Sequence, residues 1–237
     1  MREIKISDGA TGEASIQYIC RALVSAVADF KGEINAEASS LRSVLKIKIG
    51  REYEDYLKFE IEDKIADVLA IKYKYDYFKK YIKAGGLNEE ETENLFSALI
   101  AADLEEDKGY ICRKLRRFSE YAIDGIYNFR LGALKKKWAD IAGYIPSYFE
   151  KGGLNDFVSY LTGEKSGKVV TIENGAVYDR HYNLLRRASL LPSEVEGKIA
   201  REAILSGCGE VRIKGELPET DEKYIKLYFP ERIIFSP

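Results

Sequence analysis

Residues 110–147 read YICRKLRRFSEYAIDGIYNFRLGALKKKWADIAGYIPS, and no proline interrupts them before Pro146. Ile111, Leu115, Phe118, Ala122, Ile126 and Phe129 step by fours and threes, which predicts one apolar helical seam. A second seam with the same spacing runs through Ile123, Tyr127, Leu131, Leu134, Trp138, Ile141 and Ile145. At about 100° per residue the mean directions of the two seams differ by roughly 140°. They overlap between Ala122 and Leu131, and Gly125 and Gly132 bracket the overlap. Either the helix bends at the glycines, or one long helix crosses the core with a partner on each face. The uninterrupted spacing favours the second, a central strut that organises the fold.

The flanking sequence predicts an α+β protein. Before the strut, Glu3–Ser7 alternates as a short strand, and residues 12–30 carry Ile16, Ile19, Leu23, Val27 and Phe30 at helical spacing. A weak strand over 33–37 and a clear one over 43–49 follow, the latter with Leu45, Ile47 and Ile49 opposite Lys46 and Lys48. One dry and one wet face predict a small antiparallel sheet covered by a single helix. Residues 51–82 then keep Leu57, Ile61, Ile65, Val68, Ile71, Tyr75, Phe78 and Ile82 on one helical stripe. Gly85 and Gly86 end it, and Asn88 with Glu91 forms a capping box for the next helix. Residues 154–161 predict a short amphipathic helix.

The C-terminal stretch returns to strands. Residues 168–173 and 176–184, joined at Asn174-Gly175, predict a β-hairpin. A helix over 193–205, a strand over 211–214, a helix over 219–227 and a strand over 232–235 imply right-handed crossovers with parallel pairing. Three consecutive parts are expected: a sheet-and-helix unit at 1–50, a helical domain at 51–163 and a C-terminal α/β unit at 164–237.

Composition narrows the function. The 237 residues carry a formal net charge of −2 and 46% hydrophobic residues, as befits a globule that buries a core and not a globally basic nucleic-acid binder. No apolar run approaches the roughly 18 residues a membrane span needs. The alternating N-terminus, MREIKISDG, is no secretory signal, so a cytoplasmic protein is expected. Cys20, Cys112 and Cys208 lie far apart and form no zinc pattern, and His181 is the lone histidine. No metal site, cofactor or catalytic residue is predicted.

Two apparent motifs fail on inspection. Residues 162–168, TGEKSGK, have three residues between the glycines where a phosphate loop needs four. Val169 follows the lysine, and a helix precedes the loop where a strand should. Asp179 and His181 share a strand face, which makes a surface pair more simply than a catalytic one.

The basic residues of the strut are the better candidates. Arg113, Lys114, Arg116, Arg117, Arg130, Lys135, Lys136 and Lys137 face only Glu120 and Asp124 between residues 110 and 138. Such a stripe suits a phosphate backbone, with aromatic rings nearby for stacking. Against it, residues 89–107 hold eight acidic side chains and no basic ones, and could neutralise the stripe internally. Arg130 sits where the seams overlap and has no acidic neighbour three or four positions away. A structural role for it is expected, with a small-anion site or enzyme using Arg130 or His181 as the third alternative.

Tyr127-Asn128-Phe129-Arg130-Leu131 resembles the aromatic-Asn-Phe-Arg-Leu signature of the YtxC family of sporulation proteins. The tail agrees in order, from the helix near 193–206 through GEVRIK at 209–214 to YFPERI at 228–233. The run at 157–161, FVSYL, departs from the family pattern, as does the short connection at 186–192. The resemblance implies a cytoplasmic, sporulation-linked protein and no catalytic residue. The expected work is that of a non-enzymatic interaction or scaffolding factor with an unidentified protein partner, Asn128 and Arg130 being binding candidates, with nucleic-acid binding by the basic residues as the alternative.

Overall fold

The computed structural model describes every residue except 117, 119, 151, 164–166 and 237. In chain order it begins with β1 (Arg2–Asp8), α1 (Glu13–Asp29), β2 (Glu33–Ala38) and β3 (Ser43–Ile49). A 3₁₀ turn, α2 (Glu54–Val68), a π turn at Leu69–Tyr73 and α3 (Lys74–Tyr81) follow, and then α4 (Glu89–Ala101) and α5 (Leu104–Leu115). Next come β4 (Tyr121–Ala122), α6 (Ile123–Arg130), α7 (Gly132–Tyr144) and α8 (Gly153–Gly163). The chain ends with β5 (Val169–Glu173), β6 (Ala176–Tyr178), α9 (Lys198–Ser206), β7 (Glu210–Lys214), α10 (Glu219–Tyr228) and β8 (Ile233–Ser236). The protein is thus mixed α+β, with two four-stranded sheets. Its contacts gather into two compact units, Met1–Lys74 with Glu105–Trp138 and Tyr75–Leu104 with Ala139–Pro237. The helical residues of 51–163 are therefore shared between two units, because each sheet has an apolar face that helices must cover.

In the first unit β1 pairs antiparallel with β3, setting Ile4 opposite Ile47 and Ile6 opposite Leu45. β2 pairs on the other side of β3. Ile16, Ile19, Leu23 and Val27 of α1 are buried, and α1 packs on α2 as well as on β2 and β3. Lys46 and Lys48 lie on the wet face and pair with Glu37 and Glu33 at 3.1 and 3.6 Å.

The single strut over 110–147 is not what forms. α5 stops at Leu115, where the Phe118 N–H bonds the Leu115 carbonyl. Tyr121 and Ala122 then pair parallel with Ile6 and Ser7 of β1, so the sheet gains a fourth strand in the order β2-β3-β1-β4. The Tyr121 phenol donates to Glu62 Oε1 at 2.9 Å in the interior, and this anchors the crossing. A second break at Leu131, with φ −107° and ψ 29°, separates α6 from α7. The first seam is thus cut between α5, β4 and α6, and the second runs from α6 into α7, so only α6 carries residues of both. The first seam also ends early, because Phe129 is 83% exposed.

The interior of the first unit holds charge. Asp107 is buried, and its Oδ2 accepts from Lys74 Nζ and from Trp138 Nε1, each at 2.9 Å. Its Oδ1 accepts from Lys137 Nζ at 2.9 Å. The Lys74 ammonium also lies 5.9 Å from the centre of the Trp138 ring. A second group joins Lys108 to Asp63 and Asp67 at 2.8 and 2.7 Å, while the Tyr18 hydroxyl donates to Asp67. At the end of β1 the Tyr73 hydroxyl, brought by the π turn, donates to Asp8 Oδ1 at 2.5 Å.

The second unit contains the parallel pairing read from the sequence. β7 lies between β5 and β8 and is parallel to both, and β6 pairs antiparallel outside β5. Asn174 and Gly175 take φ of 51° and 74°, as a primed hairpin turn requires. α4 carries the expected capping box between Asn88 and Glu91. The helix expected from 193 begins only at Lys198, since Gly197 at φ +90° is left-handed and cannot continue it backwards. The second hairpin strand ends at Tyr178. There the Asp179 carboxylate accepts the N–H groups of His181 and Asn183 and turns the chain.

The buried Asp107 carboxylate binds Lys74, Lys137 and Trp138 Nε1, so deleting it breaks three contacts at once. Asp107→Leu should cost about 3–5 kcal/mol. Lys74→Met, which leaves Asp107 its bonds to Lys137 and Trp138, should cost less, both read from urea unfolding midpoints. Burial alone would raise the Asp63 carboxyl, but the Lys108 and Lys64 ammonium groups together outweigh it and the net shift is downward. The stability from this group is therefore present above the unfolded value of 3.8 and lost as pH falls below it through the folded value. Acid unfolding followed by circular dichroism should show a shallower loss below pH ~4 in Asp63→Asn than in the parent.

Candidate functional site

The last turn of α5 carries Arg113 and Lys114, and Arg116 follows its end, all exposed, where cations meet the negative end of the helix dipole. The Lys114 ammonium lies 5.3 Å from the centre of the Tyr110 ring. The chain then turns through Phe118, a half-buried ring that faces the Arg130 guanidinium at 5.9 Å. Arg130 closes α6, and its neighbours Asn128 and Phe129 are exposed beside it. The break at Leu131 creates this corner. Leu131 and Leu134 turn into the core, while the residues just before the break face out.

The basic residues of the expected stripe part company here. Arg113, Arg116, Arg130 and Lys136 are exposed. Lys135 is half-buried, donates to the Asn128 carbonyl at 3.2 Å and lies 5.0 Å from the centre of the Tyr127 ring. Lys137 pairs with Glu106 at 2.8 Å and with Asp107. Arg117 lies outside the described residues. The stripe is thus interrupted, and part of it is neutralised by the last residues of the acidic run. Arg130, expected to enter the core, is on open surface because the helix that would have carried it inward stops one residue later.

Other candidates resolve simply. His181 is exposed, and its Nε2 accepts from Arg180 Nε at 2.9 Å. The Asp179 carboxylate is engaged by backbone N–H groups and by the Asn183 amide, so it does not orient the imidazole. The core of the TGEKSGK loop, 164–166, lies outside the described residues, and α8 precedes it while β5 follows. Among the described residues, no three or more His, Cys, Asp or Glu side chains gather closely enough to hold a metal ion. Burial pushes the Cys208 thiol up to about 11, which keeps it protonated and unreactive.

The second unit also buries polar groups that periodicity did not single out. The Tyr75 phenol donates to Glu93 Oε1 at 2.6 Å, and burial together with this carboxylate pushes the phenol upward. Arg201 is almost wholly buried and donates to the carbonyls of Glu196 and Val195. Glu202 accepts the N–H groups of Arg187 and Ala188. One sequence signal was available: Glu93 and Ser97 sit four apart on the buried side of α4, where a simple core helix would be apolar. These bonds fasten helices and loops within the unit.

Compared with family models, with curated proteins and with solved structures, the chain matches none. The surface geometry itself therefore carries the functional reading. If the corner is a free surface, Phe129→Ser and Arg130→Ala should each change unfolding free energy by no more than about 0.5 kcal/mol. Urea denaturation of the two variants checks this, and a loss of several kcal/mol would return Arg130 to a structural role.

Proposed function

We propose that this chain is a non-enzymatic interaction protein whose α6 corner docks on an acidic surface of a protein partner. The observation that carries the reading is the exposure of Phe129 between Asn128 and Arg130, with Arg113 exposed on α5, Arg116 just after it and Lys136 on α7. An exposed aromatic ring supplies apolar area at small entropic cost. The exposed Arg130 beside it selects carboxylates by paired hydrogen bonds, and aromatic and Arg residues are enriched in interfaces. A nucleic-acid backbone needs cations in sustained series, and here Lys135 and Lys137 are drawn inward. That interruption favours a protein over a nucleic acid. With the resemblance at Tyr127–Leu131, the reading extends to a cytoplasmic factor linked to sporulation.

A photo-crosslinking phenylalanine at position 129 tests the proposal in living, sporulating cells. A discrete protein adduct is expected, weakened at least several-fold by Arg130→Glu with Arg116→Glu. Adducts that disappear on nuclease treatment would instead make the corner a nucleic-acid surface. No adduct of either kind would end the docking reading.

A further inference from the structure

β8 is the outer strand of the second unit's sheet, in the order β6-β5-β7-β8. The Val211 N–H donates to the Arg232 carbonyl at 2.9 Å, and the register sets Val211 beside Ile233 and Ile213 beside Phe235. In a parallel ladder alternate residues of an edge strand bond inward. This register directs the backbone groups of Arg232 and Ile234 to β7 and turns the N–H and C=O of Ile233 and Phe235 outward. Ile234 and Phe235 are 44% and 64% exposed. Such an edge is a template for one more strand.

A recess of about 370 Å³ adjoins that edge, lined by Ile213, Gly215, Glu216, Leu217, Glu222 and Phe235. It lies at the carboxyl ends of β7 and β8, where the chain leaves β7 for α10. Open α/β sheets take ligands at that end of their strands. Gly215, at φ +83°, makes the turn that brings Glu216 and Leu217 to the rim. The apolar lining is Ile213, Leu217 and the Phe235 ring, and the charged lining is two carboxylates. Glu222 is held from outside by Lys226 at 2.6 Å, while Glu216 is exposed.

Apolar walls under two carboxylates suit a lysine side chain. Its methylene stem covers apolar surface while its ammonium meets the acids and the face of an aromatic ring. A free amine would satisfy the recess alone. Phe235 belongs to both features, with its ring in the recess and its backbone on the open edge, so one extended chain engages both together. From this we infer that β8 accepts an extended, lysine-bearing segment of a partner protein as a fifth strand, with one lysine side chain in the recess. This site is separate from the α6 corner and opposite to it in charge.

The test is fluorescence anisotropy of the full chain with labelled Val-Lys-Val-Lys-Val, and with Val-Glu-Val-Glu-Val as the control. Binding of the lysine peptide alone is expected. Glu216→Lys, on an exposed loop, should weaken it at least tenfold. Phe235→Pro, which removes an outward N–H, should weaken it at least as much, with circular dichroism confirming that both variants fold. Equal binding of the two peptides, or lysine-peptide binding unchanged in both variants, overturns the proposal. So does n-butylamine binding as tightly as the peptide, which would make the recess a small-amine site. Concentration-dependent self-association that Phe235→Pro abolishes, without peptide binding, would make a second copy the occupant and likewise overturn it.

Discussion

A carboxylate out of reach of water must be met by the protein, and Asp107 is met from three sides. Lys74 comes from the run that began as α2, Asp107 from α5, and Trp138 with Lys137 from α7. Desolvating either ion costs several kcal/mol, and their attraction repays this only where geometry and further hydrogen bonds are good. Trp138 Nε1 and Lys137 supply those further bonds. Apolar side chains in the same place would tolerate a slip of one helix along another. A lysine and an aspartate would not, because a slip leaves both charges buried and apart. The packing of the first unit's helices is therefore tied to one register.

The same register explains why the chain breaks where it does. α5 must end near Leu115 for Tyr121 to reach both β1 and Glu62, and α7 must restart after Leu131 for Trp138 to reach Asp107. Neither demand is local, so neither is visible as a period. A two-residue strand such as Tyr121–Ala122 is too short to alternate, and its pairing partner lies more than a hundred residues earlier in the sequence. Where periods were long, they were legible. The alternation at 43–49, the helical stripe at 51–82, the Asn174-Gly175 hairpin turn and the parallel pairing of the last strands all follow from residues close in sequence. The late start of α9 was legible only with hindsight, because Gly197 could have been a tolerated helical glycine and is instead left-handed.

The candidate corner was half legible for the same reason. Residue type singled out Asn128, Arg130 and the cations around them, since charge is read directly from the sequence. Exposure was not legible, because it depends on where helices stop. Phe129 stood in an apolar seam, and extending that seam through an unbroken helix buries it. Once Leu131 leaves the helix the seam has no continuation, and the ring faces out. Lys137 is the converse case. It looked like any other cation of the stripe, yet its partners Glu106 and Asp107 lie some thirty positions earlier on α5.

A formal net charge of −2 conceals a separation of charge within the chain. The first unit presents the exposed Arg130 at the α6 corner and Arg113 and Arg116 on and just after α5, and the second presents Glu216 and Glu222 beside an open strand edge. Two complementary patches on one molecule raise the prospect of head-to-tail association, which has no point of closure and tends towards fibres. Backbone chemistry opposes it. The α6 corner is helical, so the N–H groups of Asn128 to Arg130 are bonded back within the helix and it cannot extend a sheet. A lysine from α7 could enter the recess but would leave the outward groups of Ile233 and Phe235 unpaired. Only an extended segment satisfies the carboxylates and the strand edge together, so shape keeps the two surfaces apart where charge alone would join them.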